Sequence, residues 1–363
     1  MKHFWRLLPL SFILLLSGCG AENMSALNPQ GPVAEMQFSL IALSLYIMIF
    51  VLFVVFAIYI FVLIKFRERP GDTHIPKQVH GNRTLEIVWT TIPIILLLML
   101  AVPNVMDTFT LANTEIEQEE AEIEEENGEE NGDDAPGSVS DQEAITIEVN
   151  AHQFWWEFEY KDYEFTAGQD MYIPTDTQVN IELISDDVQH SFWVPALAGK
   201  QDNVPGITNE MWLEAPEEGV YNGKCAELCG ASHWLMEFKV VAVDQGTFDD
   251  WVDGMTEPPE ESIEPTNEVA ADGREVFEDS CISCHAVGDE GGQQGPDLTN
   301  YGERQVLAGY LDHEDEKLEA WLRDTEEYKP DNEMPSFSED EIDDEEMDAL
   351  IEYMNSLKVL EED

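Results

Sequence analysis

Basic side chains are scarce in this chain: 17 Lys and Arg stand against 76 Asp and Glu, a formal net charge of −59 over 363 residues. That excludes nucleic acid as a partner, because phosphate binding needs a basic stripe and none exists. Cysteine is scarce too, with five residues. No segment repeats at solenoid spacing, which sets aside a repeat array. The acid excess is uneven. Residues 1–106 hold seven basic and five acidic side chains, leaving ten basic against 71 acidic beyond them. Such acidity reads as a solvated surface suited to concentrated salt, where self-repulsion is screened.

The N-terminus MKHFWRLLPLSFILLLSGC has a basic start (Lys2, Arg6), a short apolar run and small residues before Cys19, the pattern of an export signal. Its ending LSGC resembles a bacterial lipoprotein processing site, which implies cleavage before Cys19 and lipid on its sulfur. Phe38–Ile64 runs 27 residues without a charge and Ile87–Met106 another 20, each enough to cross a hydrocarbon core of about 30 Å. Between them lie Lys65, Arg67, Arg69, Lys77 and Arg83, the densest basic stretch of the chain. The positive-inside rule puts that loop in the cytoplasm and everything after Met106 outside.

Glu115 to Asp134 carries twelve acids in twenty residues, a self-repelling composition that reads as a solvated linker. From Ile145 the apolar residues alternate with period two (Ile145, Ile147, Val149, then Trp156, Phe158, Tyr160), interrupted at Ala151–Phe154 as by a bulge. Short apolar runs continue to FKVVAV, predicting an all-β domain that ends near Asp253. TEPPEESIEPTNE reads as a second, flexible linker. Beyond it Met347, Leu350, Ile351 and Met354 fall at helical spacing, with Ser338 and Glu341 as a capping box at that helix's start. The expected division is a signal at 1–19 and a membrane hairpin at 37–107, with helices at about 38–64 and 87–106 and a cytoplasmic loop at 65–86. An acidic linker at 108–143, a β-domain at 144–256, a linker at 257–268 and an α-domain at 269–360 complete it.

The chemistry concentrates in KCAELCGASHWLMEF (224–238), where Cys225, Glu227, Cys229, His233 and Met236 crowd together. Two sulfurs and two nitrogens would suit structural zinc, but thiolate, imidazole and thioether together form the soft set that selects copper. An ordinary blue-copper loop has one cysteine. A second, four residues on, lets both thiolates bridge two copper ions, with a further histidine to come from elsewhere. His190 in SDDVQHSFWVP is the candidate; alone it would read as a structural histidine satisfied by one carbonyl. One electron shared over two metals and two sulfurs changes each bond little on reduction, which suits electron transfer.

DVQHSFWVP followed by CAELCGASHWLM resembles subunit II of the haem-copper cytochrome c oxidases, over roughly Phe38 to Asp253. The resemblance implies a cupredoxin β-sandwich anchored by two helices, with His190, Cys225, Cys229, His233 and Met236 as side-chain ligands of a binuclear CuA centre. It also implies that Glu227 gives its backbone carbonyl to copper and its carboxylate to a magnesium site shared with subunit I. LEIVWTTIP resembles the family segment at the mouth of a proton path, with Glu86 as its acid; a snorkelling interfacial carboxylate is the other reading. The family's aromatic stretch, commonly G-H-Q-W-Y-W, is AHQFWW here, with Phe154 where a donor-facing Trp stands. Trp155 and Trp156 are substitutes, or core residues of a strand.

CISCH, from Cys281 to His285, is the attachment signature of c-type haem: two thioethers, and an imidazole on iron. Every cysteine then has a role other than a disulfide. Met334, in a loop before the last helix, is the candidate second axial ligand, and GPDLTN (295–300) matches the loop covering one haem edge in small cytochromes c. The reading is a membrane-bound subunit II with a fused cytochrome c domain, as in caa(3)-type oxidases, part of a proton-translocating oxidoreductase. Its expected partners are subunit I, other oxidase subunits and an external cytochrome c. Alternatives are the CuA subunit of a nitric oxide reductase, or a copper delivery protein, against which the haem motif speaks.

Overall fold

The computed structural model describes residues 22–67, 71, 77–78, 80–112, 144–265 and 267–360. The expected signal and Cys19, the acidic linker from residue 113 onward and part of the 65–86 loop lie outside them. Two helices are long and apolar enough to cross a membrane, α1 (Pro32–Lys65) and α2 (Arg83–Ala112). Both extend beyond the expected apolar spans, since adding a turn to an existing helix costs little. Asn82 caps α2, its Oδ1 accepting from the amides of Thr84 (3.0 Å) and Leu85 (3.2 Å). Glu86 stands exposed in the first turn of α2, where a carboxylate complements the helix dipole.

The segment ahead of α1, assigned no role from sequence, lies along the β-domain. Asn23 Nδ2 donates to the Val220 carbonyl (2.8 Å) and accepts through Oδ1 from Asn222 Nδ2 (2.9 Å). The amide of Ala34 donates to the Leu197 carbonyl (3.1 Å).

The β-domain is a sandwich of two five-stranded sheets. One contains β1 (Ile145–His152), β2 (Trp155–Tyr160), β3 (Phe165–Gly168), β5 (Val179–Ser185) and β8 (Asn209–Leu213), in the order β3-β2-β1-β5-β8. The other contains β4 (Asp170–Pro174), β6 (His190–Trp193), β7 (Lys200–Asn203), β9 (Gly219–Cys225) and β10 (Glu237–Val243), in the order β4-β10-β9-β6-β7. Period-two alternation sends Ile147, Val149 and Ala151 of β1, and Val179, Ile181 and Leu183 of β5, into the space between the sheets. There Trp156, Phe192 and Phe238 meet, with ring centroids 4.7–5.8 Å apart.

Two sequence expectations change here. The interruption at Ala151–Phe154 is a hairpin turn and not a bulge, because β1 and β2 pair antiparallel with His152 opposite Trp155. The domain is also not all-β to its end: α3 (Gln245–Thr256) follows β10. Phe248, Trp251, Val252 and Met255 sit at i, i+3, i+4 and i+7 and are buried, so a helical stripe was present in the sequence. Trp251 stacks on Tyr172 at 4.6 Å.

The C-terminal domain is helical. Its principal helices are α5 (Glu268–Ser280), α6 (Asp315–Arg323) and α8 (Asp344–Ser356), with single turns α4 (Glu260–Ile263) and α7 (Thr325–Tyr328). α5 and α8 cross at Gly273, where any side chain would strike the Ala349 carbonyl. Met347, Leu350, Ile351 and Met354 line the buried face of α8. The capping box of α8 is Asp343 with Glu346; Ser338 and Glu341 instead close a separate turn upstream. Both quartets fit the local pattern, and the one contiguous with the apolar stripe caps the helix. The 257–268 segment is no free tether over its described residues. Ser262 Oγ donates to the Lys358 carbonyl (2.7 Å), and Glu264 lies 3.5 Å from Arg274.

Candidate metal and haem sites

The β9–β10 connection is a loop closed at its base, where the Cys225 amide donates to the Met236 carbonyl (3.0 Å). β6 pairs with β9 and so brings His190 beside Cys225. The donors expected from sequence meet. Cys225 Sγ lies 3.9 Å from Cys229 Sγ, 3.9 Å from His190 Nδ1 and 3.1 Å from the Glu227 carbonyl oxygen. Cys229 Sγ lies 3.6 Å from His233 Nδ1 and 3.9 Å from Met236 Sδ. His190 and Met236 are fully buried, both cysteines nearly so, and His233 and Glu227 half-buried.

The sulfur pair needs positive charge. The Cys225 thiol is pushed down, first because Cys229 hydrogen-bonds its thiolate and also because His190 does, while burial opposes. The Cys229 thiol is pushed up, chiefly by that same neighbour and by burial. Left to itself the pair holds one negative charge. Two thiolates side by side call for cations between them, and soft donors with two imidazoles suit copper.

Sequence reasoning passed over the groups that hold this set. Asp187, three residues before His190, accepts through Oδ1 from His190 Nε2 (2.8 Å) and through Oδ2 from the Gln153 amide (2.6 Å). That bond fixes the ring so that Nδ1 faces the sulfurs. Burial alone would lower the His190 pKa, but the Asp187 carboxylate and Cys225 raise it on balance. Gln153 Nε2 in turn donates to the Cys229 carbonyl (2.5 Å). The signal available was the carboxylate itself, since the second ring nitrogen of a ligating imidazole almost always finds a carboxylate, a backbone carbonyl or water.

Of the three aromatic residues in question, Phe154 is buried against Gly230 of the cysteine loop. Trp155 is half-buried and stacks on His152 at 4.3 Å. Trp156 is a core residue, its edge toward His190 with centroids 6.2 Å apart.

In the helical domain, Cys281 ends α5, and the turn through Cys284 places His285 with its amide donating to the Cys281 carbonyl (3.1 Å). His285 Nδ1 donates to the Pro296 carbonyl (2.8 Å), leaving Nε2 as a lone-pair donor. Burial holds this imidazole neutral, its pKa below the ordinary value. Gly295 lets the ring lie flush on the loop, because a Cβ there would sit 2.6 Å from His285 Cε1. Cys281 is buried, Cys284 half-buried, and neither is in a disulfide. Met334 is non-helical and half-buried against the Phe277–Leu350 core, with Met347 and Met354 committed to α8. Asn332 Oδ1 accepts from the Met334 amide (2.9 Å), and Thr325 Oγ1 donates to its carbonyl (2.7 Å), which fixes the loop. Two thiols and an imidazole with its Nε2 lone pair available, together with a thioether that packs on the same apolar core as Cys281, fit a c-type haem.

Known proteins match the chain over nearly its whole length. Residues 24–106 match the family described as cytochrome C oxidase subunit II, transmembrane domain; residues 165–243 match its periplasmic domain, and residues 270–358 match cytochrome c. Cytochrome c oxidase subunit 2 of Alkalihalophilus pseudofirmus is 52% identical over 359 residues, covering 98% of each chain. The proteins of that name from Bacillus sp. strain PS3 and Bacillus subtilis are 42% and 39% identical, covering 98% and 99% of each chain respectively.

Proposed function

The chain belongs to the subunit II family of the cytochrome c oxidases, membrane-bound haem-copper oxidoreductases, and on that premise we propose that it relays single electrons from an external cytochrome c, through a haem on its own C-terminal domain, to a binuclear copper centre and onward to subunit I. The observation that carries this reading is the meeting of His190, Cys225, the Glu227 carbonyl, Cys229, His233 and Met236 around two sulfurs 3.9 Å apart. The two bound groups supply one-electron carriers; the chain positions and tunes them.

His190 and His233 present Nδ1 inward, Asp187 keeps His190 in the tautomer that can ligate, and Gln153 anchors the loop through the Cys229 carbonyl. Near-complete burial keeps water from the sulfurs, so that little solvent reorganises when charge moves. Cys281 and Cys284 would hold the haem covalently, with the His285 imidazole and the Met334 thioether offered to its iron. The half-buried Glu227 is free to offer its carboxylate to a magnesium ion shared with subunit I, where oxygen reduction and proton translocation belong. Glu86 opens the proton path from the cytoplasmic side. The β-domain and helical domain face outward, and Cys19 carries lipid.

The test is a Cys281→Ser, Cys284→Ser double variant of the full chain in its oxidase. It should keep the copper spectrum and accept electrons from small artificial donors, yet lose most turnover fed by the natural cytochrome. Turnover at the full rate without haem would overturn the relay.

A further inference from the structure

The helical domain touches the β-domain at several points that involve both sites. Ser232, fully buried and adjacent to His233, donates its hydroxyl to the Pro330 carbonyl at 2.6 Å. Pro330 begins the short loop that Asn332 and Thr325 hold around Met334. On the same side the Trp234 ring lies 6.5 Å from the Tyr310 ring. Gly309 packs against the carbonyls of Leu235 and Glu237, which flank Met236, and a Cβ there would come within 2.6 Å of the Glu237 oxygen. At the other end Pro296, whose carbonyl holds His285, packs on Gly168 of β3. Buried charge lies across the seam as well: Asp170 of β4 and Arg304 are each almost fully buried and act on one another electrostatically. Lys329, 4% exposed, donates to the Ala308 carbonyl (2.6 Å) within electrostatic reach of Cys229.

A domain that sampled space on a tether would present a solvated face. Here a lysine and an arginine of the helical domain and an aspartate of the β-domain are buried at the seam, which is tolerable only if the two surfaces stay together. We propose that the helical domain passes its electron to the copper pair while seated in this seam, the Ser232–Pro330 hydrogen bond joining the loop of Met334 to the loop of His233. Ser232 is then a positioning residue. The inference rests on the relay proposed above and adds where and how it is made. One electron leaves ferrous haem iron, which becomes ferric, and reduces the copper pair by one; no bond or proton changes place, and reduced external cytochrome c supplies the next electron.

Docked and tethered transfer differ in what limits them. A tethered partner must diffuse to contact at a finite effective concentration, so its rate falls with viscosity and, for charged surfaces, shifts with salt. A seated partner does neither. Gly168 offers a clean wedge: the nearest atoms to an added Cβ are Pro296 Cβ (2.5 Å), Pro296 Cα (3.1 Å) and the Asp297 oxygen (3.2 Å), all in the helical domain.

The experiment uses the full chain in its assembled oxidase, with the haem reduced by a flash from a small photoreductant and the haem and near-infrared copper bands followed together. The wild type should transfer at a rate independent of glycerol and of salt. Gly168→Leu should slow transfer about tenfold or more and make it viscosity-dependent, with both spectra unchanged; Ser232→Ala should slow it with the domains still together. Hydrogen exchange over residues 230–236 should rise in Gly168→Leu, a readout independent of turnover. A wild-type rate that falls in proportion to viscosity, or unaltered transfer in both variants, overturns the seated mechanism and leaves the relay intact. Absence of any haem-to-copper transfer in the wild type overturns the relay itself.

Discussion

Asp187→Asn probes the support of the proposed copper ligands. The side chain accepts from His190 Nε2 (2.8 Å) and from the Gln153 and Val188 amides. Burial would raise the Asp187 pKa, but these bonds, that of His190 foremost, lower it on balance, so the group is a carboxylate at neutral pH. The amide keeps shape and volume and removes the charge. A hydrogen bond to a charged partner is worth about 1.5–3 kcal/mol, against roughly 0.5–1.5 for a neutral one. The difference, about 1–2 kcal/mol, corresponds to copper binding weaker by about tenfold, within the range seen when such supporting groups are removed. The assay is competition for copper between the oxidase and a chelator of known affinity, read in the near-infrared. Asp186→Asn is the control, since Asp186 bonds only Asn150 among the described contacts (2.9 Å) and should change nothing. Equal affinities for Asp187→Asn and wild type would refute the idea that this carboxylate orients His190.

Two further expectations follow from the helical domain. Met334→Ala should abolish the sulfur-to-iron absorption band and lower the haem potential, because a thioether favours ferrous iron; loss of the band in Met347→Ala instead would move the ligand into α8. Burial pushes the Lys329 ammonium down to about 7 from 10.5, with Cys229 pulling the other way. The folded state thus releases a proton that the unfolded chain keeps between those values, so stability should climb with pH from about 7 to 10.5 at up to about 1.4 kcal/mol per pH unit. Lys329→Met should be more stable at neutral pH and lack that slope in a series of Tm measurements, whereas parallel profiles would contradict the burial.

Much of the architecture was legible because its signals are local. Charge-free runs marked α1 and α2, period-two alternation marked β1 and β2, and most of the proposed ligands sit in two dense motifs, 225–236 and 281–285. What escaped has physical causes. The β1–β2 turn at Gln153–Phe154 carries no Gly, Asn or Pro, so nothing distinguished it from a bulge. The stripe of α3 was present but lay inside a domain already read as all-β. Ser338–Glu341 and Asp343–Glu346 both satisfy the capping-box pattern, and only the observed start of α8 separates them. The seam was beyond reach altogether: Ser232 meets Pro330 from 98 residues away, and Gly168 meets Pro296 across two domains. No periodicity encodes such a contact, whereas Asp187 could have been found by asking which carboxylate holds His190.

The proposed pair of coppers sharing one electron between Cys225 and Cys229 underlies the whole relay. Metal analysis of the intact oxidase, joined to EPR of this chain's copper, tests it most directly. The centre should hold two coppers per chain and show the hyperfine pattern of one unpaired electron spread equally over both nuclei, collapsing to a single-copper pattern or vanishing in Cys225→Ser and Cys229→Ser. A single copper with its full unshared splitting in the wild type, or zinc bound in its place, would contradict it.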